Sequence, residues 1–199
     1  MLEFVEAPTH SVATDYLYSL GQVLERVPNE ALSNAIELLL AARASGRRVY
    51  IIGNGGSAAT ASHFVCDLVK TAKVPGHRAL RAFSLSDSAT LMTAWANDRA
   101  YHHTFAEQIL ALVEADDIVI AISASGNSPN IIEGLKAASV VGAQTIALVG
   151  FDGGAASTIA DVVIHVPCND YGLVEDTHAA IGHAMTAAIR TALLPILAD

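Results

Sequence analysis

Val49-Tyr50-Ile51-Ile52 runs directly into Gly53-Asn54-Gly55-Gly56-Ser57, and a helical pattern carrying His63 and Asp67 follows at once. An unbroken apolar run of this length reads as a strand buried on both faces, the situation of a parallel sheet covered by helices. The glycines permit positive φ and close backbone approach, so amide N–H groups and the Ser57 hydroxyl can converge on a phosphate at the helix N-terminus. A second turn of the same kind, Ser123-Ala124-Ser125-Gly126-Asn127-Ser128, follows the apolar strand Ile118 to Ile122 and precedes another helical pattern. Two polar turns at the carboxyl ends of parallel strands define one crevice.

The rest of the chain fits that frame. Helical stripes are predicted over 13–27 (Tyr16, Leu17, Leu20, Val23, Leu24) and over 29–45 (Leu32, Ala35, Ile36, Leu39, Leu40), the second stopped by Gly46. Beyond the first strand the pattern alternates: helix 57–71, strand 80–85, helices 88–95 and 101–113, strand 117–122, helix 129–141, strand 144–149. A Gly153-Gly154 turn, a short helix, strand 162–166 and helix 175–197 complete it. This alternation predicts an α/β fold, a parallel sheet with helices on both faces, because right-handed β-α-β crossovers need them there. No linker interrupts it, so residues 1–199 read as one domain, a helical pair over 1–46 leading into an α/β core over 47–199.

Composition excludes several function classes. A net charge of −9 argues against nonspecific nucleic-acid binding, which needs a basic footprint, yet it leaves room for one anion held in a local cradle of amides. No apolar run reaches the length of a membrane span and the N-terminus lacks a signal pattern, so a cytoplasmic location without membrane association is expected. Cys66 and Cys168 have no metal-type spacing and read as buried thiols. Gly53-Asn54-Gly55-Gly56-Ser57-Ala58 also satisfies the dinucleotide fingerprint, but Ala72 to Leu80 contains no acidic residue to meet a ribose, and no Gly-Lys-Ser/Thr makes a nucleotide P-loop.

Several motifs occur in a fixed order: Gly53-Asn54-Gly55-Gly56-Ser57, His63-Phe64, Ala96-Asn97-Asp98, Ser123 to Ser128, Gly150-Phe151-Asp152-Gly153-Gly154, and Glu175-Asp176-Thr177-His178 with His183. Together they resemble the sugar isomerase (SIS) domain, and within it the phosphoheptose isomerases, over nearly the whole chain. The resemblance implies a flavodoxin-like three-layer α-β-α sandwich and a homotetramer, with the N-terminal helices packing at the subunit interface. It also implies a phosphorylated sugar substrate, sedoheptulose 7-phosphate, and a zinc ion in each subunit.

By the same resemblance the metal ligands are His63, Asp67, Glu175 and His183, and the acid/base pair is Asp67 and His183. Asn54, Gly55, Gly56, Ser57, Asp98, Ser123, Ala124, Ser125, Asn127, Ser128 and Glu175 are implied to line the substrate site. Independently of the family, His63 and Asp67 stand four apart and share one helix face, so both can reach one ion. Three positions depart from the pattern. Asp67 stands where glutamate is usual and Glu175 where glutamine is usual, while a basic position becomes Thr71, with Lys70 and Lys73 as candidate replacements.

Moving a carbonyl between C2 and C1 requires a base for a carbon-bound proton, a carrier for hydroxyl protons, and positive charge beside the enediolate. Plainer roles stand beside these. His63 could be a solvated helix histidine, His183 a core histidine, Glu175 and Asp176 acids favoured at a helix N-terminus, and each serine a helix cap. His178 is assigned either to the support of the site or to the helix surface, and His102 and His103 to the surface or an interface. A noncatalytic phosphosugar-binding regulator, of the replication-initiator-associating type, or a sugar-phosphate sensor, is the alternative to an enzyme.

Overall fold

A computed structural model of the chain describes residues 9–194. Helices α1 (Thr9–Leu24) and α2 (Asn29–Ser45) precede strand β1 (Arg48–Gly53), which feeds α3 (Gly55–Cys66). Strand β2 (Arg81–Ser84), α4 (Ala89–Asp98), α5 (Thr104–Leu112), β3 (Ile118–Ser123) and α6 (Pro129–Val140) follow. Strand β4 (Gln144–Val149), β5 (Val162–His165) and α7 (Tyr171–Ala192) complete the order.

All five strands are parallel, in the order β2-β1-β3-β4-β5. This is the flavodoxin-like order, and its switch point lies between β1 and β3, whose following connections run to opposite faces. Gly53 pairs with Ile122, so the turns after β1 and β3 leave the sheet side by side. The two expected polar turns therefore flank one opening because the register delivers them at one level.

Strand side chains alternate between the faces. Ile51, Ile120, Ile122, Ile146 and Leu148 pack with Leu39 of α2, Phe64 of α3 and Ile181, Met185 and Ile189 of α7. Tyr50, Ile52, Val119, Ala121 and Ala147 pack on the other face with Phe105 and Ile109 of α5 and Ile131 and Leu135 of α6. Each fully buried aliphatic side chain contributes roughly 1.5–3 kcal/mol, so this double core holds the switch point rigid beneath the turns.

The structure moves several expected boundaries. Helix α3 begins at Gly55, two residues early, and closes in a wide π turn over Asp67–Thr71, in which the Ala72 amide donates to the Asp67 carbonyl at 2.8 Å. Helix α7 begins at Tyr171 rather than 175, because Asp170 caps it by accepting from the Leu173 amide at 3.0 Å; the expected end at 197 lies outside the described residues. Of the α1 stripe only Val23 is buried, and Leu17 and Leu24 face outward. The two cysteines correct the expectation of buried thiols: Cys66 is exposed and Cys168 half-buried.

Candidate functional site

The turns after β1 and β3 enclose a crevice of about 180 Å³ lined by Asn54, Ser57, Ser123, Ala124, Ser125 and Ser128, with Ile122, Tyr171 and Glu175. Helices α3 and α6 open onto it, and their N-caps, Asn54 and Ser128, make no side-chain capping bond. By contrast, Ser88 and Asp170 cap α4 and α7 in the ordinary way. The first-turn amides of α3 are thus left for an external acceptor, the arrangement that binds phosphate; in α6 Pro129 has no N–H and the Ile131 amide donates to the Ser128 carbonyl at 3.0 Å, which leaves the Asn130 amide. The capping role considered for Ser128 is not exercised by its hydroxyl, and Ser57 lies inside the first turn of α3 rather than at its cap.

Of Gly53, Gly55 and Gly56, only Gly55 takes positive φ, at 53°. Gly56 serves close approach instead: a Cβ there would lie 2.5 Å from Glu175 Oε2. Glu175 therefore rests its carboxylate against the start of α3, where the helix dipole favours negative charge.

Further along α3 the expected pair does converge on α7. His63 Nε2 lies 3.3 Å from His183 Nε2, and Asp67 Oδ2 lies 3.7 Å from His63 Nε2 and 3.4 Å from His183 Nε2. Asp67 is nearly buried while both imidazoles are exposed. Its other oxygen, Oδ1, accepts from Thr71 Oγ1, four residues on in the π turn, at 2.9 Å. All three donor atoms lie within 4.8 Å of one another. Two imidazoles and a carboxylate converging in this way match the donor chemistry of a divalent ion such as zinc.

Glu175, expected as a fourth ligand, does not join this group; it lines the serine crevice two helical turns before His183. Asp98 ends α4, accepts from its neighbour Asn97 at 2.9 Å, and is not among the crevice-lining residues. Asn127 braces the second turn from outside the crevice: its Nδ2 donates to the Ser125 carbonyl at 3.1 Å and its Oδ1 accepts from the Ala155 amide at 2.9 Å. Asp176 accepts from the Tyr16 hydroxyl at 2.6 Å, tying α7 to α1 and pushing the phenol up to about 12. His178 is fully buried, so its assignment to the helix surface is overturned. Loss of solvation lowers its pKa to about 4, the nearby Val149 carbonyl favouring the charged ring slightly without a formed hydrogen bond.

Residues that the sequence reading missed complete the crevice. Asn130 in the first turn of α6 is hydrogen-bonded to Asn54, and the Tyr101 hydroxyl donates to Asn54 Oδ1 at 2.9 Å. Tyr171 lines the wall with its ring centre 4.8 Å from that of Phe151. Asn130 follows the recognised serine turn by only two residues, and Tyr171 follows a capping aspartate, signals that a search for helix starts could have used.

The fold and these side chains define an α/β protein with a serine-lined crevice at its switch point and a His–Asp–His cluster further along the helix that leaves it. The SIS domain model matches residues 15–150. A phosphoheptose isomerase of Geotalea daltonii is 37% identical over 185 residues, covering 93% of each chain. The phosphoheptose isomerase structures from Neisseria gonorrhoeae and Francisella tularensis are 33% and 26% identical, with TM-scores of 0.85 and 0.87. Each comparison covers 93% of this chain and the whole of the other. The chain belongs to the SIS domain family and, within it, to the phosphoheptose isomerase group.

Proposed function

We propose that the protein is a metal-dependent aldose–ketose isomerase that converts sedoheptulose 7-phosphate to D-glycero-D-manno-heptose 7-phosphate. The observation that carries this reading is the placement of two functions on one helix. The phosphate seat surrounds the start of α3, and the His63–Asp67–His183 cluster meets its far end. From Ser57 to His63 is six residues, about 9 Å of helix at 1.5 Å per residue. That separation suits a substrate with several carbons between phosphate and carbonyl, and it is long for a triose phosphate.

With the phosphate in the serine crevice and the open-chain sugar lying along α3, Asp67 takes a proton from C1 of the ketose as the C1–C2 double bond forms. His183 carries the hydroxyl proton between O1 and O2, and Asp67 returns its proton to C2, which yields the aldose without net change in atoms or charge. His63, Asp67 and His183 would hold a divalent ion, which when bound supplies Lewis-acid stabilisation of negative charge on the enediolate oxygens. Glu175, in the wall of the serine crevice against Gly56, faces the phosphate end of the sugar.

The outward apolar side chains of α1, Leu17 and Tyr18 among them, are the surface through which subunits associate as a tetramer. No helix among the described residues is long and apolar enough to cross a membrane. The test is incubation of the zinc-loaded protein with sedoheptulose 7-phosphate, following aldose formation. Absence of product, with that sugar bound, would remove the catalytic reading.

A further inference from the structure

A second cavity, of about 400 Å³, lies along α7 beyond the cluster, and Asp67 and His183 form part of its wall. Its other polar lining is Thr71, Thr186, Thr191 and Arg190. Each threonine hydroxyl already donates: Thr71 to Asp67 Oδ1 at 2.9 Å, Thr186 to the Gly182 carbonyl at 2.8 Å, and Thr191 to the Ala187 carbonyl at 2.9 Å. A hydroxyl has one proton, so these groups can offer an incoming oxygen only lone pairs. The guanidinium of Arg190 is the free donor fork of the cavity. It makes no hydrogen bond or ion pair among the described residues.

Arg190 follows His183 by seven residues, which puts both on one face of α7, and helical side chains lean toward the N-terminus of their helix, here toward His183. Lys70 and Lys73, the replacements considered for the basic position at Thr71, line neither this cavity nor the serine crevice. The facing helix instead brings a cation to the cavity that Thr71 itself lines.

We propose, on the isomerase reading above, that Arg190 is a substrate contact that binds the carbonyl-end oxygens of the phosphosugar and offsets the negative charge they gain in the enediolate. The charge pattern favours such a group in addition to the ion. Proton abstraction by Asp67 moves negative charge from that carboxylate onto the sugar oxygens beside it, and Arg190 is the one permanently charged cation lining the crevice or this cavity. A planar fork of N–H donors suits two vicinal oxygens better than an ammonium does.

The experiment compares intact protein, Arg190→Gln and Arg190→Lys, all zinc-loaded. Turnover of sedoheptulose 7-phosphate is measured, together with calorimetric affinity for that sugar and for inorganic phosphate. Arg190→Gln should lower kcat/KM by roughly tenfold to a hundredfold, the scale for losing one donor to a developing oxyanion. It should weaken sugar phosphate and leave inorganic phosphate binding within roughly twofold, because Arg190 does not line the serine crevice and follows Glu175, which does, by fifteen residues of α7, about 22 Å of helix. Arg190→Lys should recover part of the loss, and the thermal midpoint should not move, since no partner is lost. Unchanged kcat/KM and sugar affinity would overturn the proposal, as would an equal loss of inorganic phosphate. If the intact protein binds the sugar without turning it over, the isomerase reading fails, and the ratio of sugar to phosphate affinity still decides for or against Arg190.

Discussion

The side-chain amides of Asn54 and Asn130 bond to each other twice, each Nδ2 donating to the other's Oδ1 at 2.8 Å. One belongs to the turn after β1 and the other to the first turn of α6, so this reciprocal pair fixes the distance between the two halves of the proposed phosphate seat. Flipping either amide alone would face donor with donor, and the Tyr101 hydroxyl donating to Asn54 Oδ1 favours this arrangement over the doubly flipped one.

Asn130→Ala should therefore damage binding and stability together. Asn54 would keep Tyr101 as a donor but lose its buried partner, at a cost of roughly 1–3 kcal/mol. Urea unfolding measures the stability loss, and calorimetry with inorganic phosphate should show weaker binding. A variant as stable as the parent, with phosphate affinity unaltered, would mean the pair is incidental to the seat.

Glu175 offers a prediction of opposite sign. Its carboxylate rests against Gly56 inside the crevice, where it opposes an incoming phosphate while stabilising the start of α3. Glu175→Gln removes the repulsion and keeps the shape. Phosphate affinity of the metal-free protein should rise several-fold by roughly the 0.3–1 kcal/mol of a charge at a helix end, with the thermal midpoint slightly lowered. Weaker phosphate binding in this variant would show that the carboxylate assists the seat.

Much of this site was legible in the sequence, for physical reasons that differ by residue. The apolar strands and the glycine–serine turns are local signals, and parallel topology converts them into one crevice with no further information. His63 and Asp67 were legible as a pair because four residues on a helix make neighbours. Their meeting with His183 was supplied by resemblance and not by local pattern, since it depends on how α7 crosses α3. Glu175 shows the limit most clearly: the sequence places it on the same helix as His183, but only the packing of Gly56 beneath it draws the carboxylate toward the crevice. Arg190 carries no such signal. Nothing local distinguishes an arginine near the end of a long helix until the cavity it lines is known.

His178 makes the fold sensitive to acid. Buried without a hydrogen-bond partner, it has a pKa of about 4 against an ordinary 6.5, so the unfolded chain binds a proton that the folded chain refuses. Stability is complete above pH 6.5 and falls as pH drops toward 4, by up to roughly 3 kcal/mol for a shift of this size. Urea midpoints of the parent and His178→Gln across that window should converge at low pH as the parent loses this term. Parallel curves would mean that His178 is not responsible.

The most direct test of the account is the exchange of carbon-bound hydrogen in deuterated water. Zinc-loaded protein incubated with sedoheptulose 7-phosphate should introduce deuterium at C2 of the aldose formed and, through the reverse reaction, at C1 of the ketose. Asp67→Asn should abolish that incorporation almost completely while the sugar still binds, because an amide cannot accept the proton. Deuterium entering at the same rate in Asp67→Asn as in the parent would contradict the assignment of Asp67 as the base and with it the proposed mechanism.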